Sequence, residues 1–489
     1  MRSPGTWVAA ALSVALLVRA APVLAAPSAE SARTIGRRVL DRMAQGRLRD
    51  KAGLCVISLD TGEVVAESGA ATPLVPASVA KLATIASALD VLGPGHRFET
   101  RVEARGGFDA ATGTLDGVLV VHGSGDPGLS KRERPGDPMY PLRALAQGVV
   151  ARGVRRVTGA VVLSDAPFDR SFVHPGWSRS DLEHWYGAPV GGLSFNDACV
   201  TCLVRGGADS GDAARVETPS TSGPWPLEAS VSTSGGRSSV GARFSGGRFK
   251  VEGEVPPRGD VTFEAPVPDP VAHFGGAFLA ALSAEGVRVE GGVRLAAPGE
   301  DLRGGAPLAS VSNPLAPELV VMGRRSQNFY ASSIFKALGA VREGAGTWAA
   351  GERAVAAALS ARGAFDEGCR IVDGSGLARD SRWTAGAVAR LLLSFDRDLL
   401  RGPMLRDALA VPGDEDGTMR KRLRDPDARA RVRVKTGTLA HAGVRGLAGY
   451  VDGRDGSRGY AFAILLNAVP ADGDALDLMD DVVRELLQG

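Results

Sequence analysis

"TPLVPASVAKLAT", residues 72–84, reads as the opening of a helix and carries a lysine where the neighbours are small or apolar. Pro76 suits a first helical turn, and Leu82, Ile85, Leu89 and Leu92 recur at spacings of three, four and three before Gly93 closes the pattern. An ammonium ion in such company is costly unless it is paired or gives up its proton. Positions i and i+3 are neighbours on a helix, so the Lys81 amine can reach the hydroxyl of Ser78. A serine hydroxyl is a poor nucleophile until an adjacent base takes its proton, and a lysine whose pKa falls from about 10.4 is such a base. Ser78 is expected in the first helical turn, where unbonded backbone N–H groups favour developing negative charge.

Lysine is scarce here: of 57 basic residues only seven are Lys, and the rest are Arg. Arg holds its proton near neutral pH, whereas Lys releases it when its surroundings demand. A second lysine of interest, Lys435, stands in the alternating strand pattern "RVRVKTGT". Lys435 with the hydroxyls of Thr436 and Thr438 offers a cation and donors for a carboxylate, and Gly437 lets a ligand approach the backbone. Between these two motifs lies Ser326-Gln327-Asn328, on a loop between two helical segments. A spacing of two sets the Ser326 hydroxyl, a proton relay, and the Asn328 amide, a holder of carbonyl and lysine, on one side of the backbone. Each motif alone also reads as ordinary structure: a helix start, a helix cap, a strand end. Together, in this order, they reproduce the Ser-x-x-Lys, Ser-x-Asn and Lys-Thr-Gly trio of the β-lactamases and penicillin-binding proteins.

The rest of the chain sets these motifs in an α/β (α+β) fold. "GLCVISL" and "GEVVAES", hinged on Asp60-Thr61-Gly62, form a hairpin before the Ser78 helix. Late in the chain "ARVRVKTG", "VRGLAGYV" and "GYAFAILLNAV" are strands, the last two joined by a turn over 452–456. Hairpin and late strands are expected to make one antiparallel sheet flanked by helices. A final helix shows Leu476, Met479, Val483 and Leu486 on one face. Residues 98–312 have a different texture, with short strands between Gly/Ser/Pro-rich turns. They are expected to be a large α+β insertion of two small subdomains, with "GGADSGDAARVETPSTSG" (206–223) a flexible connection. The expected divisions are 1–26 export signal, 27–97 first catalytic part, 98–312 insertion and 313–489 second catalytic part.

The distance of 248 residues from Ser78 to Ser326 narrows the resemblance. So do "HGSGDPGLS" (122–130), "YGAPVGGLSFND" (186–197) and "DGSGLARDS" (373–381). From about residue 35 to the C-terminus the chain resembles the class C low-molecular-mass penicillin-binding proteins, the D-alanyl-D-alanine carboxypeptidase/endopeptidases. The resemblance implies that Ser78 is the acylated nucleophile, Lys81 its base, and Ser326 and Asn328 helpers in proton transfer and positioning. It implies that Lys435, Thr436 and Thr438 hold a terminal carboxylate, and that the N–H groups of Ser78 and Thr438 form an oxyanion hole. Gln327 stands where many members have Asp. "GWSRSDLEHWYGAP" gathers Trp177, Trp185 and Tyr186 about the Asp181 carboxylate, a setting suited to a ligand ammonium. In related members an acid and an aromatic so placed contact the amino end of a diaminopimelate side chain. Asp373-Gly374-Ser375-Gly376 reads as a structural turn. The implied substrates are peptidoglycan peptides, the implied inhibitors β-lactams, and no metal or cofactor is required. A β-lactamase would use the same residues, but the long insertion argues against it. A non-enzymatic peptidoglycan-binding scaffold would not need Ser78, Lys81 and Lys435 intact.

Bulk properties fit this reading. A chain of 489 residues exceeds one simple core. A net charge of +2 with no basic stripe gives no case for nucleic acid. Arg2, the 12-residue apolar run "WVAAALSVALLV" and "APVLAAP" form an expected export signal, too short to span a bilayer comfortably. No other segment is apolar enough to cross a membrane, so an exported, soluble mature chain is expected. Cys55, Cys199, Cys202 and Cys369 lack metal-site spacing, and a structural role is expected for Cys199 and Cys202, paired or simply buried.

Overall fold

The computed structural model describes residues 29–45, 51–130, 132, 136–297, 299–454, 456–469 and 472–488. The export signal expected over 1–26 and Asp455 of the expected hairpin turn lie outside the described residues. The central sheet has strands β1 (Ala52–Ser58), β2 (Val64–Ser68), β3 (Val432–Leu439), β4 (Val444–Val451) and β5 (Tyr460–Leu466). Their order is β3-β4-β5-β1-β2, with every neighbouring pair antiparallel, as the hairpin and late strands led one to expect.

Successive side chains on a strand point to opposite faces, so each strand feeds two cores. Leu54, Val56, Phe462 and Ile464 face one side, where helices α1 (Ala29–Gln45) and, at the C-terminus, Asp472–Leu487 supply Ile35, Val39, Met479 and Val483. Cys55, Ile57, Ala461, Ala463 and Leu465 face the other, against α2 (Lys81–Val91) and the helix Ala385–Asp396. Helix α1 has no counterpart in the sequence reading. Gly36 lets it lie against β2, since a Cβ there would stand 2.2 Å from the Val65 carbonyl oxygen.

The chain leaves this body at strand Arg97–Asp109 and returns on strand Ala306–Pro314. The two pair antiparallel, with Arg97 opposite Pro314. They belong to a seven-stranded sheet backed by helices Tyr140–Ala151 and Pro270–Ala284, whose Leu142, Leu145, Phe274 and Phe278 join Val102, Leu119 and Val121 in a core. Two three-stranded sheets complete the region. The stretch 206–223 is not merely a connection. Arg215–Glu217 forms a short strand beside Cys199–Arg205, a pairing made by tertiary contact rather than by strand propensity. Cys199 and Cys202 are buried on that partner strand. Among the described residues no helix is long and apolar enough to cross a membrane, and no cluster of His, Cys, Asp or Glu could hold a metal ion.

Candidate active site

Lys81 does not escape to solvent. Its side chain is fully buried, and Nζ donates to Ser78 Oγ at 2.8 Å, Asn328 Oδ1 at 2.7 Å and the Ser375 carbonyl at 2.7 Å. Burial pushes its pKa from 10.5 down to about 7, against the partial opposition of the Asp373 carboxylate. Ser78 sits in a 3-10 turn, Ala77–Ala80, that leads into α2, rather than in the first α-helical turn. In a 3-10 turn residues i and i+3 eclipse, which aligns Ser78 directly with Lys81. The first bonded amide of the turn is that of Val79, so the Ser78 N–H precedes the ladder. Ala77, just before it, is held at φ 47°, a strained left-handed setting for a residue with a Cβ.

Strand β3 passes close to this turn as the edge of the central sheet. Gly437 explains how: a Cβ there would lie 2.8 Å from the Pro76 carbonyl oxygen and 3.2 Å from Val79 N. The glycine thus makes room for the Ser78 turn itself, where the sequence suggested room for a ligand. Lys435 is fully buried and donates to Ser326 Oγ and to the Thr436 carbonyl, each at 2.8 Å. Burial first, then the nearby Lys81 charge, holds Lys435 well below the usual lysine range. Thr436 donates to Thr418 Oγ1 at 2.8 Å, and Thr438 is exposed at the strand end.

Ser326 lies on a loop at φ 58°, while Asn328 is already the first residue of α3 (Asn328–Glu343), not a loop residue. From there Asn328 accepts from Lys81 and donates Nδ2 to the Tyr186 carbonyl at 2.8 Å. The structure therefore brings Ser78, Lys81, Ser326, Asn328, Lys435, Thr436 and Thr438 to one place, with Gly437 at its back.

Asp181, Trp185 and Tyr186 border the same cleft, of about 600 Å³, with Ser78, Ser326 and Thr438. Asp181 accepts from Ser178 N and Oγ at 3.0 and 2.6 Å. Trp177 does not join this group. It is buried, and its Nε1 donates to Asp373 Oδ2 at 2.8 Å.

That bond belongs to a support the sequence left half-read. Asp373 is fully buried and accepts from Ser375 Oγ and the N–H groups of Gly376, Leu377 and Ala378. The turn so fixed aims the Ser375 carbonyl at Lys81 Nζ. Gly376 sits against Ala77, whose carbonyl oxygen would be 1.9 Å from a Cβ. Two further supports were missed. Asn467 bonds both backbone groups of Val75, at 2.9 and 3.0 Å, and so fixes the approach to Ser78. Asp197 accepts from Gln327 Nε2 at 3.0 Å and pairs with Arg132, behind the Ser326 loop. Asn196, Asp197 and Ala198 take φ of 51°, 56° and 54°, three successive left-handed residues that direct this carboxylate. Its one sequence signal was its place at the end of "YGAPVGGLSFND".

Fold and site define the class: a serine-peptidase scaffold of the β-lactamase/transpeptidase type. Residues 36–486 match the model of the D-Ala-D-Ala carboxypeptidase 3 (S13) family, and the chain belongs to that family. It is 33% identical over 436 residues to a D-alanyl-D-alanine carboxypeptidase of Actinomadura sp. (strain R39), covering 85% of this chain and 77% of the relative. It is 32% identical over 445 residues to carboxypeptidase DacB of Mycolicibacterium smegmatis, covering 88% of this chain and 79% of the relative. The fold matches the crystal structure of penicillin binding protein 4 (dacB) from Haemophilus influenzae with a TM-score of 0.76 at 22% identity, over 92% of this chain and 99% of that one. The same protein complexed with a β-lactam gives a TM-score of 0.71 with the same identity and coverage.

Proposed function

We propose that this protein is a serine D-alanyl-D-alanine carboxypeptidase/endopeptidase that cleaves peptidoglycan stem peptides or their cross-links and is acylated by β-lactams. The observation that carries the reading is the buried Lys81 amine, depressed to about pKa 7, at 2.8 Å from Ser78 Oγ. Neutral Lys81 takes the Ser78 proton as Oγ attacks the carbonyl before the scissile amide. The N–H groups of Ser78 and Thr438 receive the charge that develops on the carbonyl oxygen. The C–N bond then breaks, and the leaving amine receives a proton relayed through Lys81 and Ser326. Water attacks the resulting ester, and Ser78 recovers its proton.

Two buried ammonium ions side by side disfavour each other. A substrate carboxylate held by Lys435, Thr436 and Thr438 stabilises charge on Lys435, and the Lys435 charge in turn keeps Lys81 neutral. Binding and activation are thereby linked. Asn328 holds Lys81 and the substrate amide. Asp181 and Tyr186 receive the ammonium of a diamino-acid side chain at the far end of the acyl portion. Residues 98–312 act as an insertion that shapes access, and residues 1–26 export the chain.

Labelling with fluorescent penicillin tests the reading. The intact protein should carry one adduct on the peptide spanning 72–84, and Ser78→Ala should carry none. An unlabelled wild-type protein would end the enzymatic account.

A further inference from the structure

Resting on that reading, we infer that Trp177 is a positioning residue for the base: through the Asp373 carboxylate it sets how readily Lys81 gives up its proton, so the excursion that frames the cleft also tunes the chemistry. Asp373 accepts five hydrogen bonds, from Trp177 Nε1, Ser375 Oγ and the N–H groups of Gly376, Leu377 and Ala378, four of them on Oδ2. All five donors are neutral, and no cation pairs with Asp373 among the described residues. A fully buried carboxyl group that only accepts is ionised, and these donors alone compensate its charge.

Lys81 feels that charge. Asp373 stands two residues before the carbonyl that accepts from Nζ. Thr84, further along α2, donates to the Gly374 carbonyl at 2.8 Å, which clamps the turn to the helix. The carboxylate opposes the fall in the Lys81 pKa that burial causes. The other groups facing the amine act differently. Ser78 and Asn328 are neutral acceptors, and Lys435 on β3 adds a like charge when protonated. His174 also lies near Asp373, but burial holds it below its usual 6.5, so it is already neutral where Lys81 titrates.

Of the five donors only Trp177 comes from outside the turn, and its place is fixed. Its ring meets Trp348 edge-on, with centroids 5.6 Å apart, and Trp348 Nε1 donates to the Ser171 carbonyl at 2.8 Å. Lys336 of α3, fully buried, pairs with Asp169 at 2.6 Å. Residues 169–177 are thus bolted to α3 and to helix Trp348–Ala361, which holds the indole N–H on the carboxylate. Removing a donor leaves the negative charge less compensated and raises the proton affinity of Lys81. Removing the charge lowers it.

The test reads that affinity directly. Carbon-13-labelled lysine gives few signals in a chain with seven lysines, and Lys81→Met assigns the one that matters. In the resting protein it should titrate at about 7. Trp177→Phe keeps a ring and removes the N–H, while Ser375→Ala removes a second donor and keeps the carbonyl. Each should raise the midpoint by about half a pH unit, whereas Asp373→Asn should lower it by about one unit. The pH profile of penicillin acylation should move in the same directions, with the plateau rate of Trp177→Phe within about threefold of wild type. A folded Trp177→Phe or Ser375→Ala whose midpoint stays put would overturn the inference, and so would Asp373→Asn if it raised the midpoint. A lower plateau with an unmoved midpoint would make Trp177 a brace without an electrostatic role, which also overturns it. A protein that takes no penicillin yet shows the three shifts would strike the catalytic reading and uphold the inference.

Discussion

Gly437→Ala is the sharpest probe of how the Ser78 turn and the β3 edge form one site. The added Cβ would lie 2.8 Å from the Pro76 carbonyl oxygen, whereas ordinary van der Waals contact begins at 3.4 Å, so about 0.6 Å must open between strand and turn. The obstructing atom is backbone, and Pro76 is buried two residues before Ser78. Overpacking of this kind costs about 1–3 kcal/mol of stability. The larger effect is on geometry: the gap opens between the two amides, Ser78 and Thr438, proposed above to converge on one oxygen. Misplacement by about 1 Å costs up to about 10²-fold in rate, so roughly half that shift should cost about tenfold. The assay is the second-order rate of acylation by a fluorescent penicillin, read beside a melting curve. Gly446→Ala is the comparison, because its Cβ meets Val79 Cγ2 at 2.8 Å, a buried side-chain methyl, so the strain falls first on packing and not on the backbone of the Ser78 turn. It should lose about threefold or less. If Gly437→Ala acylates within twofold of wild type, the strand and turn do not build the oxyanion site together.

Other expectations follow from the same geometry. Acylation should rise with pH through about 7 as Lys81 sheds its proton, and a flat profile between pH 5 and 9 would exclude it as the base. The stability sign is fixed as well. Between about 7 and 10.5 the unfolded chain holds the Lys81 proton and the folded chain does not, so this term favours folding more as pH rises across that window. Asp197→Ala strips Arg132 of its partner and Gln327 of its acceptor; it should cost on the order of 3 kcal/mol and slow acylation about tenfold, with Asp197→Glu recovering part of the rate. Asp181→Ala should slow cleavage of diamino-acid-containing peptides yet leave penicillin acylation near wild type, and equal losses on both would remove its assignment.

Much of the site was legible because its chemistry dictates residue type. An amine that must be buried beside a hydroxyl is conspicuous among small apolar neighbours, more so in a chain with so few lysines. The sheet was legible because period-two alternation and a hairpin turn are local signals. What stayed hidden was carried by atoms without a signature. The third acceptor for Lys81 is a backbone carbonyl, that of Ser375, and any residue would supply one. Asn467 and Asp197 act from remote points of the chain, so nothing near Ser78 announces them. Gly437 was recognised as a close-approach residue, but which body comes close is a tertiary fact. Trp177 looked like part of the Asp181 wall because it is near in sequence, whereas the buried Asp373 claims its N–H.

The pairing of Arg97 with Pro314 means that the excursion between them begins and ends at a single point on the catalytic body. Ser78 before the excursion and Ser326 after it are kept together by the helices and sheet they adjoin, not by the length of chain that separates them. Within the excursion, however, Trp177, Tyr186 and Asp197 brace Asp373, Asn328 and Gln327, so a change of length is cheap only in the parts that do not touch the catalytic body.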